Sequence, residues 1–219
     1  MSGAYPYDHK TRQEVASFLP VSTAKLTVLE VGCGYGNFRK NISTDCEYWG
    51  IEPIQAIAEQ ASASLDKVLT GTFQETCGSL PEHYFDCIVC NDVIEHMDDV
   101  DGFLQSIKLK LKKDGVIVGS IPNVRYFDNL FNLLIAKDWK YVESGILDKT
   151  HLRFFTWKSL QRTFIANDYE IVAFAGINPV KLKKDSARRF VLSLGAIIFS
   201  SLIGSDSKYT QFGFRIKPK

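Results

Sequence analysis

The chain has 219 residues, 45% hydrophobic and 23% charged, with a net charge of +1, a make-up that suits one soluble domain with a real core and carries no basic excess to attract nucleic acid. Its five cysteines are an odd number scattered over apparent strands and turns, which fits the cytoplasm better than a disulfide framework. The amino-terminal stretch MSGAYPYDHKTRQEV is polar and lacks the apolar run of a signal peptide.

In chain order, a helix is expected near Arg12 to Phe18, within an amino-terminal segment of about 1–20. A strand, Leu26 to Val31, runs into the glycine turn, followed by a short helix from about Asn37. The second strand, Glu47 to Glu52, stops at Pro53, and the alanine-rich IQAIAEQASASL reads as a helix. Short strand Lys67–Thr70 and buried-type strand Tyr84–Cys90 come next. A helical stripe of Phe103, Leu104, Ile107 and Leu111 follows from Val100, with lysines gathered at its end as the helix dipole prefers. Asp114-Gly115 turns the chain into a fifth strand, Val116–Ser120. Beyond it, 122–155 is expected to be an insertion beside the acceptor, and Thr156 to cap a helix bearing Trp157, Leu160 and Phe164. A sixth strand, Tyr169–Phe174, a basic-then-apolar helical insertion over about 181–205, and an alternating final strand, Tyr209–Ile216, complete the chain. Strand and helix alternate, so the fold is α/β with a mainly parallel sheet, whose ligands bind beyond the carboxyl ends of the strands.

Gly32, Gly34 and Gly36 follow the first strand on alternate positions, the pattern of a turn over which a ligand passes close to the backbone. A phosphate loop would need Gly-Lys-Ser/Thr, where this chain has Gly36-Asn37-Phe38. A dinucleotide fingerprint would need its third glycine one residue later. Glu52 lies about 20 residues downstream at the end of the next strand, where an acid accepts hydrogen bonds from ribose hydroxyls. The expected ligand is an adenosine carrying something other than a pyrophosphate.

These motifs resemble those of class I S-adenosylmethionine-dependent methyltransferases. VLEVGCGYGNF is similar to the family's first motif, GIEP to its second and FDCIVCNDVIEHM to its fourth; LKKDGVIVGSIPN is similar to its helix end and fifth strand. The resemblance implies a Rossmann-like, doubly wound, seven-stranded sheet with its last strand antiparallel, and S-adenosyl-L-methionine as cofactor. It also implies roles for residues. Gly32, Gly34 and Gly36 would let the backbone pass under the methionine part, with Cys33 and Phe38 also among the cofactor-binding residues and Glu30 near its amino group or a bound water. Glu52 would hold the ribose, and Pro53 or Ile54 the adenine. In GTFQE the family's usual acid is missing, which leaves the Thr72 amide and the Phe73 ring to meet the adenine. Asn91, Asp92 and Val93 would line the sulfonium end.

Methyl transfer to a hydroxyl needs an aligned nucleophile, exclusion of water and removal of a proton, and that chemistry requires no metal. His151, in DKTHLRFFT, is the favoured base, with Asp148 three residues earlier to orient it, the alternative being a structural turn in which Phe154 and Phe155 pack and Asp148 pairs with Arg153. His96, in VIEHM, is the second candidate, with holding the loop over the cofactor as its alternative role. DKTHLRFFTWKSL and SIPNVRYFDNLFNLL further resemble methyltransferases of surface polysaccharide and lipopolysaccharide assembly. That resemblance implies a sugar hydroxyl on a nucleotide- or lipid-linked glycan, gripped by Asn123, Arg125, Tyr126 and Arg153, with Tyr126 and Trp139 as stacking faces. The VIEHM region also resembles methyltransferases for quinones or small aromatic molecules, and a non-catalytic cofactor-binding subunit is the third reading. KLKKDSARR before FVLSLGAIIFSSLIG, shorter than the roughly 20 residues of a membrane span, reads as a buried or homodimer-forming helix with a solvated lead-in, with a membrane-surface or lipid-carrier contact as the sharper alternative. Cys87-x-x-Cys90 has no second pair and reads as core thiols rather than zinc ligands.

Overall fold

The structure, a computed structural model, describes residues 11–42, 45–181 and 187–219. Strands β1 (Leu26–Val31), β2 (Cys46–Glu52), β3 (Lys67–Thr70), β4 (Phe85–Asn91), β5 (Leu111–Pro122), β6 (Tyr169–Pro179) and β7 (Tyr209–Pro218) form one seven-stranded sheet in the order β3-β2-β1-β4-β5-β7-β6. β1 to β5 pair in parallel, while β7 lies antiparallel between β5 and β6. The expected architecture is therefore present.

The apolar runs of β1 and β4 are buried on both faces, as parallel strands covered by helices must be. Leu29, Val31, Ile88 and Cys90 pack to one side with Phe103, Leu104, Leu160 and Phe164. Val28, Cys87 and Val89 pack to the other with Phe18, Phe38, Tyr48 and Leu65. The first side is covered by α3 (Phe73–Thr76), α4 (Val100–Lys108) and α6 (Trp157–Ala166). The second carries the short α1 (Gln13–Ala16) and one edge of α2 (Gln55–Ala61). Thr156 caps α6 as expected, its hydroxyl accepting from the Ser159 N–H at 3.1 Å. Asp99 does the same for α4 with Gly102 at 2.8 Å.

Two extents differ from the sequence reading. β5 begins at Leu111, because the Asp114-Gly115 turn is absorbed as a bulge: Phe85 pairs Leu111, then Cys87 pairs Val116. β6 continues to Pro179 because β7 supplies partners along its whole length. The expected 122–155 insertion holds α5 (Phe127–Phe131), a π turn over Asn132–Ala136 and an irregular run back to α6. The apolar segment forms α7 (Ala187–Ile203); part of its basic lead-in, 182–186, and residues 1–10 of the amino-terminal segment lie outside the described residues.

Candidate active site

The chain order reverses between β1 and β4, which opens a crevice beyond their carboxyl ends. Into it β1 delivers the glycine turn, where Gly32, Gly34 and Gly36 have φ of 68°, 52° and 74°, a left-handed path that only glycine takes without strain. Space is short as well. A Cβ on Gly32 would sit 3.1 Å from Val93 Cγ2, and one on Gly36 would sit 3.0 Å from Leu65 Cγ.

Glu52, fully buried at the end of β2, holds this turn in place. Its Oε2 accepts from the Gly34 N–H and its Oε1 from the Ile54 N–H, each at 3.0 Å. It stands at the carboxyl end of β2, where the ribose hydroxyls of a nucleoside are expected to meet an acid. Pro53 is exposed and Ile54 half-buried beside it. Glu30, also buried, accepts from the Tyr48 hydroxyl at 2.9 Å. Burial pushes the Glu30 carboxyl up to about 8, against the pull of the Tyr48 hydrogen bond and the Arg12 charge. At the end of β4 the Asn91 amide is buried and makes no hydrogen bond of normal geometry. A buried acid with a raised pKa and a buried amide beside a glycine cradle fit a ligand that brings an ammonium and carboxylate and a ribose. The residues therefore suit S-adenosylmethionine.

Several expected cofactor residues stand elsewhere. Phe38 and Cys33 are buried in the core beneath the turn; a Cβ on Gly50 would meet Cys33 Sγ at 2.5 Å. Thr72 opens α3 in a capping box, its N–H and hydroxyl both donating to Glu75 Oε2, at 2.7 and 2.8 Å. Phe73 packs edge-on to Phe103 at 4.9 Å. Neither is left to meet an adenine. Val93 does lie against the glycine turn. Asp92, at φ 54°, is committed to other partners: Arg12 at 2.7 Å, Ser120 at 2.9 Å and Gln211 at 2.7 Å. Arg12 thereby ties the amino-terminal segment to the carboxyl edge of the sheet, a link that 80 residues of separation hide in the sequence.

The acceptor side is rearranged more. Asn123 is fully buried and donates to the Asp206 and Tyr209 carbonyls at 2.9 and 2.8 Å. Arg125 pairs with Asp206 at 2.9 Å and donates to the Ile203 carbonyl at 2.7 Å, fastening the end of α7. Arg153 donates to the Asp98 carbonyl at 2.6 Å, and Tyr126 packs against Phe127 at 4.6 Å. Asn123, Arg125 and Arg153 are thus structural ties rather than a grip on a polar acceptor.

The histidines do converge. His96 and His151 face each other edge to face with ring centroids 4.8 Å apart. Asp148 does not orient His151, because its Oδ1 accepts from the Thr150 N–H and hydroxyl at 2.8 and 2.7 Å. Instead His151 Nδ1 lies 3.0 Å from the Ile146 carbonyl, and His96 Nδ1 lies 3.1 Å from the Thr150 carbonyl. A carbonyl only accepts, so each Nδ1 carries a proton and Nε2 is the ring nitrogen left to face other groups. His96 is exposed and His151 buried; partial desolvation of the ring, then the neighbouring His151, lowers the His96 pKa. Behind them is Glu95, 1% exposed, with neither carboxylate oxygen hydrogen-bonded and Oε1 3.9 Å from His151 Nε2. Burial, then the Asp92 charge, holds its carboxyl well above the usual range. Sequence reasoning passes over Glu95, although it stands next to His96 in VIEHM. Phe154 flanks His151 at 6.5 Å and carries Trp139 and Tyr141 at 5.5 and 6.3 Å.

Residues 5–173 match the family described as the methyltransferase domain, and the chain belongs to that family. A ubiquinone biosynthesis O-methyltransferase from Rickettsia felis is 25% identical over 184 residues, covering 78% of this chain and 74% of the relative. The mitochondrial enzyme of that name from Schizosaccharomyces pombe is 26% identical over 117 residues, covering 50% and 43%. Among solved structures, a SAM-dependent methyltransferase from Archaeoglobus fulgidus superposes with TM-score 0.61 at 18% identity, over 94% of this chain and 90% of that one. A possible histamine N-methyltransferase from Thermotoga maritima gives 0.63 at 21%, over 95% and 87%. These structures share the fold.

Proposed function

We propose that the protein is an S-adenosylmethionine-dependent O-methyltransferase whose acceptor is a hydroxyl on an aromatic, quinol-like ring. When bound, S-adenosylmethionine supplies an electrophilic methyl group. The glycine turn and Glu52 hold the nucleoside so that the sulfonium end points toward Asn91 and Val93. The acceptor hydroxyl must approach in line to about 3 Å. Exposed, with its pKa lowered, His96 is the imidazole placed to meet it, and His151 stands behind as the second member of the pair. That order reverses the preference drawn from sequence.

The observation that carries the acceptor class is what surrounds these histidines. Phe154 lies beside His151, with Trp139 and Tyr141 packed on it, while the Asn123, Arg125 and Arg153 groups expected to grip a sugar are bonded elsewhere. The relatives' names, ubiquinone biosynthesis O-methyltransferases, point to the same class. The test is transfer of labelled methyl from S-adenosylmethionine to a panel of dihydroxylated aromatics and nucleotide sugars. Labelled phenolic ethers support the reading; label found only in the sugars overturns it and restores the glycan acceptor.

No helix among the described residues is long and apolar enough to cross a membrane. Leu194, Ile198 and Leu202 nevertheless expose one stripe of α7, and Leu133, Leu134 and Ile135 are exposed in the turn after α5, which packs on α7 through Phe131 and Phe199. This surface suits contact with a bilayer that stores an apolar acceptor. Flotation with anionic vesicles checks it, and a concentration-dependent dimer without flotation would assign the stripe to self-association.

A further inference from the structure

We propose that Gln211, a residue of β7 outside the motifs of the cofactor crevice, is a positioning residue for the cofactor: it holds Asp92 in the left-handed turn that presents Asn91 and Val93 to the sulfonium end. Among the described residues, six non-glycine residues have positive φ. Three of them, Arg12 at 56°, Asp92 at 54° and Asn178 at 52°, meet in one hydrogen-bond network above the carboxyl ends of β4, β5 and β6. Such backbone is costly for a residue with a Cβ and persists where its surroundings over-determine it. Gln211 is the junction. Its Nε2 donates to the two Asp92 oxygens at 2.7 and 2.8 Å, and its Oε1 accepts from Asn178 Nδ2 at 2.8 Å and Arg12 Nη2 at 3.3 Å. With donors on one side and a carboxylate on the other, the amide has only one satisfactory orientation. Ser120 completes the clamp: its hydroxyl donates to Asp92 at 2.9 Å, and its carbonyl accepts from the Asp92 N–H at 3.0 Å.

The clamp matters because of what flanks Asp92. Asn91 ends β4 with its amide buried, and Val93 lies so close to the glycine turn that a Cβ on Gly32 would stand 3.1 Å from its Cγ2. A rotation about the Asp92 backbone moves these two residues relative to each other and to the turn. The frame behind the clamp is stiff, because Gln211 pairs with Pro122 of β5 and Ile177 of β6. Asp92 thus works through its own main chain rather than by touching the cofactor, and Gln211 works through Asp92. This role rests on the reading that places the sulfonium end at Asn91 and Val93; it is independent of the acceptor's class.

The test is calorimetric titration of the full chain and its variants with S-adenosylhomocysteine, which needs no acceptor. Gln211→Leu should raise Kd at least about fivefold, and Gln211→Glu, which sets a like charge against Asp92, should raise it further. Glycine takes the left-handed φ without strain. Asp92→Gly should therefore bind at least about threefold more tightly than Asp92→Ala, which lacks both the clamp and that freedom. In the Asp92→Gly background, Gln211→Leu should change Kd by less than about twofold, because its target is gone. Urea unfolding checks that each variant folds; if a single variant does not, the two proteins carrying Asp92→Gly still supply the comparison. Equal affinity of Gln211→Leu and wild type overturns the clamp. So does an Asp92→Gly no better than Asp92→Ala, since the carboxylate itself would then matter, or a Gln211 effect that persists beside Asp92→Gly. Those results leave the transferase reading intact, whereas a wild type that does not bind S-adenosylhomocysteine sinks both.

Discussion

Glu52→Gln separates what this acid does for the protein from what it does for the cofactor. In the wild type both carboxylate oxygens accept backbone N–H groups, Gly34 on one side and Ile54 on the other, in a fully buried setting. Glutamine keeps the shape but presents an NH₂ to one of those donors, which leaves a buried N–H unpaired at a cost of about 1–3 kcal/mol. The ribose loses a charge-assisted bond worth about 1.5–3 kcal/mol, a roughly 10- to 150-fold rise in Kd. Urea unfolding of the free protein reads the first effect, and calorimetric titration with S-adenosylhomocysteine reads the second. If stability falls while affinity holds, Glu52 serves only to set the turn and the ribose assignment is wrong. If neither moves, the hydrogen bonds described for this turn do not hold in solution.

Gly32→Ala should lose about 1–2 kcal/mol of stability, from the left-handed φ, and cofactor affinity with it, because the new methyl meets Val93; wild-type affinity by titration would argue against a cradle there. His96→Gln and His151→Gln should each lower turnover by roughly 10²–10⁴ with S-adenosylhomocysteine affinity nearly intact, and a variant of full activity would remove its residue from the chemistry. Glu30 gives a pH prediction. Its folded-state pKa, about 8 against an ordinary 4.5, means that the folded protein binds the extra proton between those values. This contribution is complete below about 4.5 and is lost as pH rises through about 8. Glu95 is shifted the same way, so the difference between wild type and Glu30→Gln isolates the effect: urea midpoints should fall less from pH 5 to pH 8.5 in the variant, and parallel falls would refute the shift.

What was legible in the sequence was local. The glycine spacing, the strand that feeds it and Glu52 after the next strand all lie within one β-α-β stretch, and the structure places them as that spacing implies. Alternation around Tyr209–Ile216 likewise marks the last strand, whose inward residues Phe212, Phe214 and Ile216 are buried, while its antiparallel direction came from the family resemblance. Side-chain commitments across long separations were not legible. Asn123 and Arg125 look free in SIPNVRYFD because their partners, Asp206 and Tyr209, come some 80 residues later. Asp148 looks like a partner for His151 three residues on, but it closes a tighter turn with Thr150. The capping box of Thr72 and Glu75 was readable as T-x-x-E and explains why GTFQE turns its polar groups inward on itself. Glu95 carries the strongest unspent signal: an acid beside His96, flanked by Ile94 and Met97, which are both buried, is an acid forced out of water.

The account stands most directly on where the nucleoside lies. A crystal structure of the protein with S-adenosylhomocysteine is predicted to show the ribose hydroxyls on the Glu52 carboxylate, the backbone of Gly32 to Gly36 under the homocysteine, and the sulfur facing the His96–His151 pair. A product bound anywhere else, or a crevice between β1 and β4 that stays empty at saturating concentration, would contradict it.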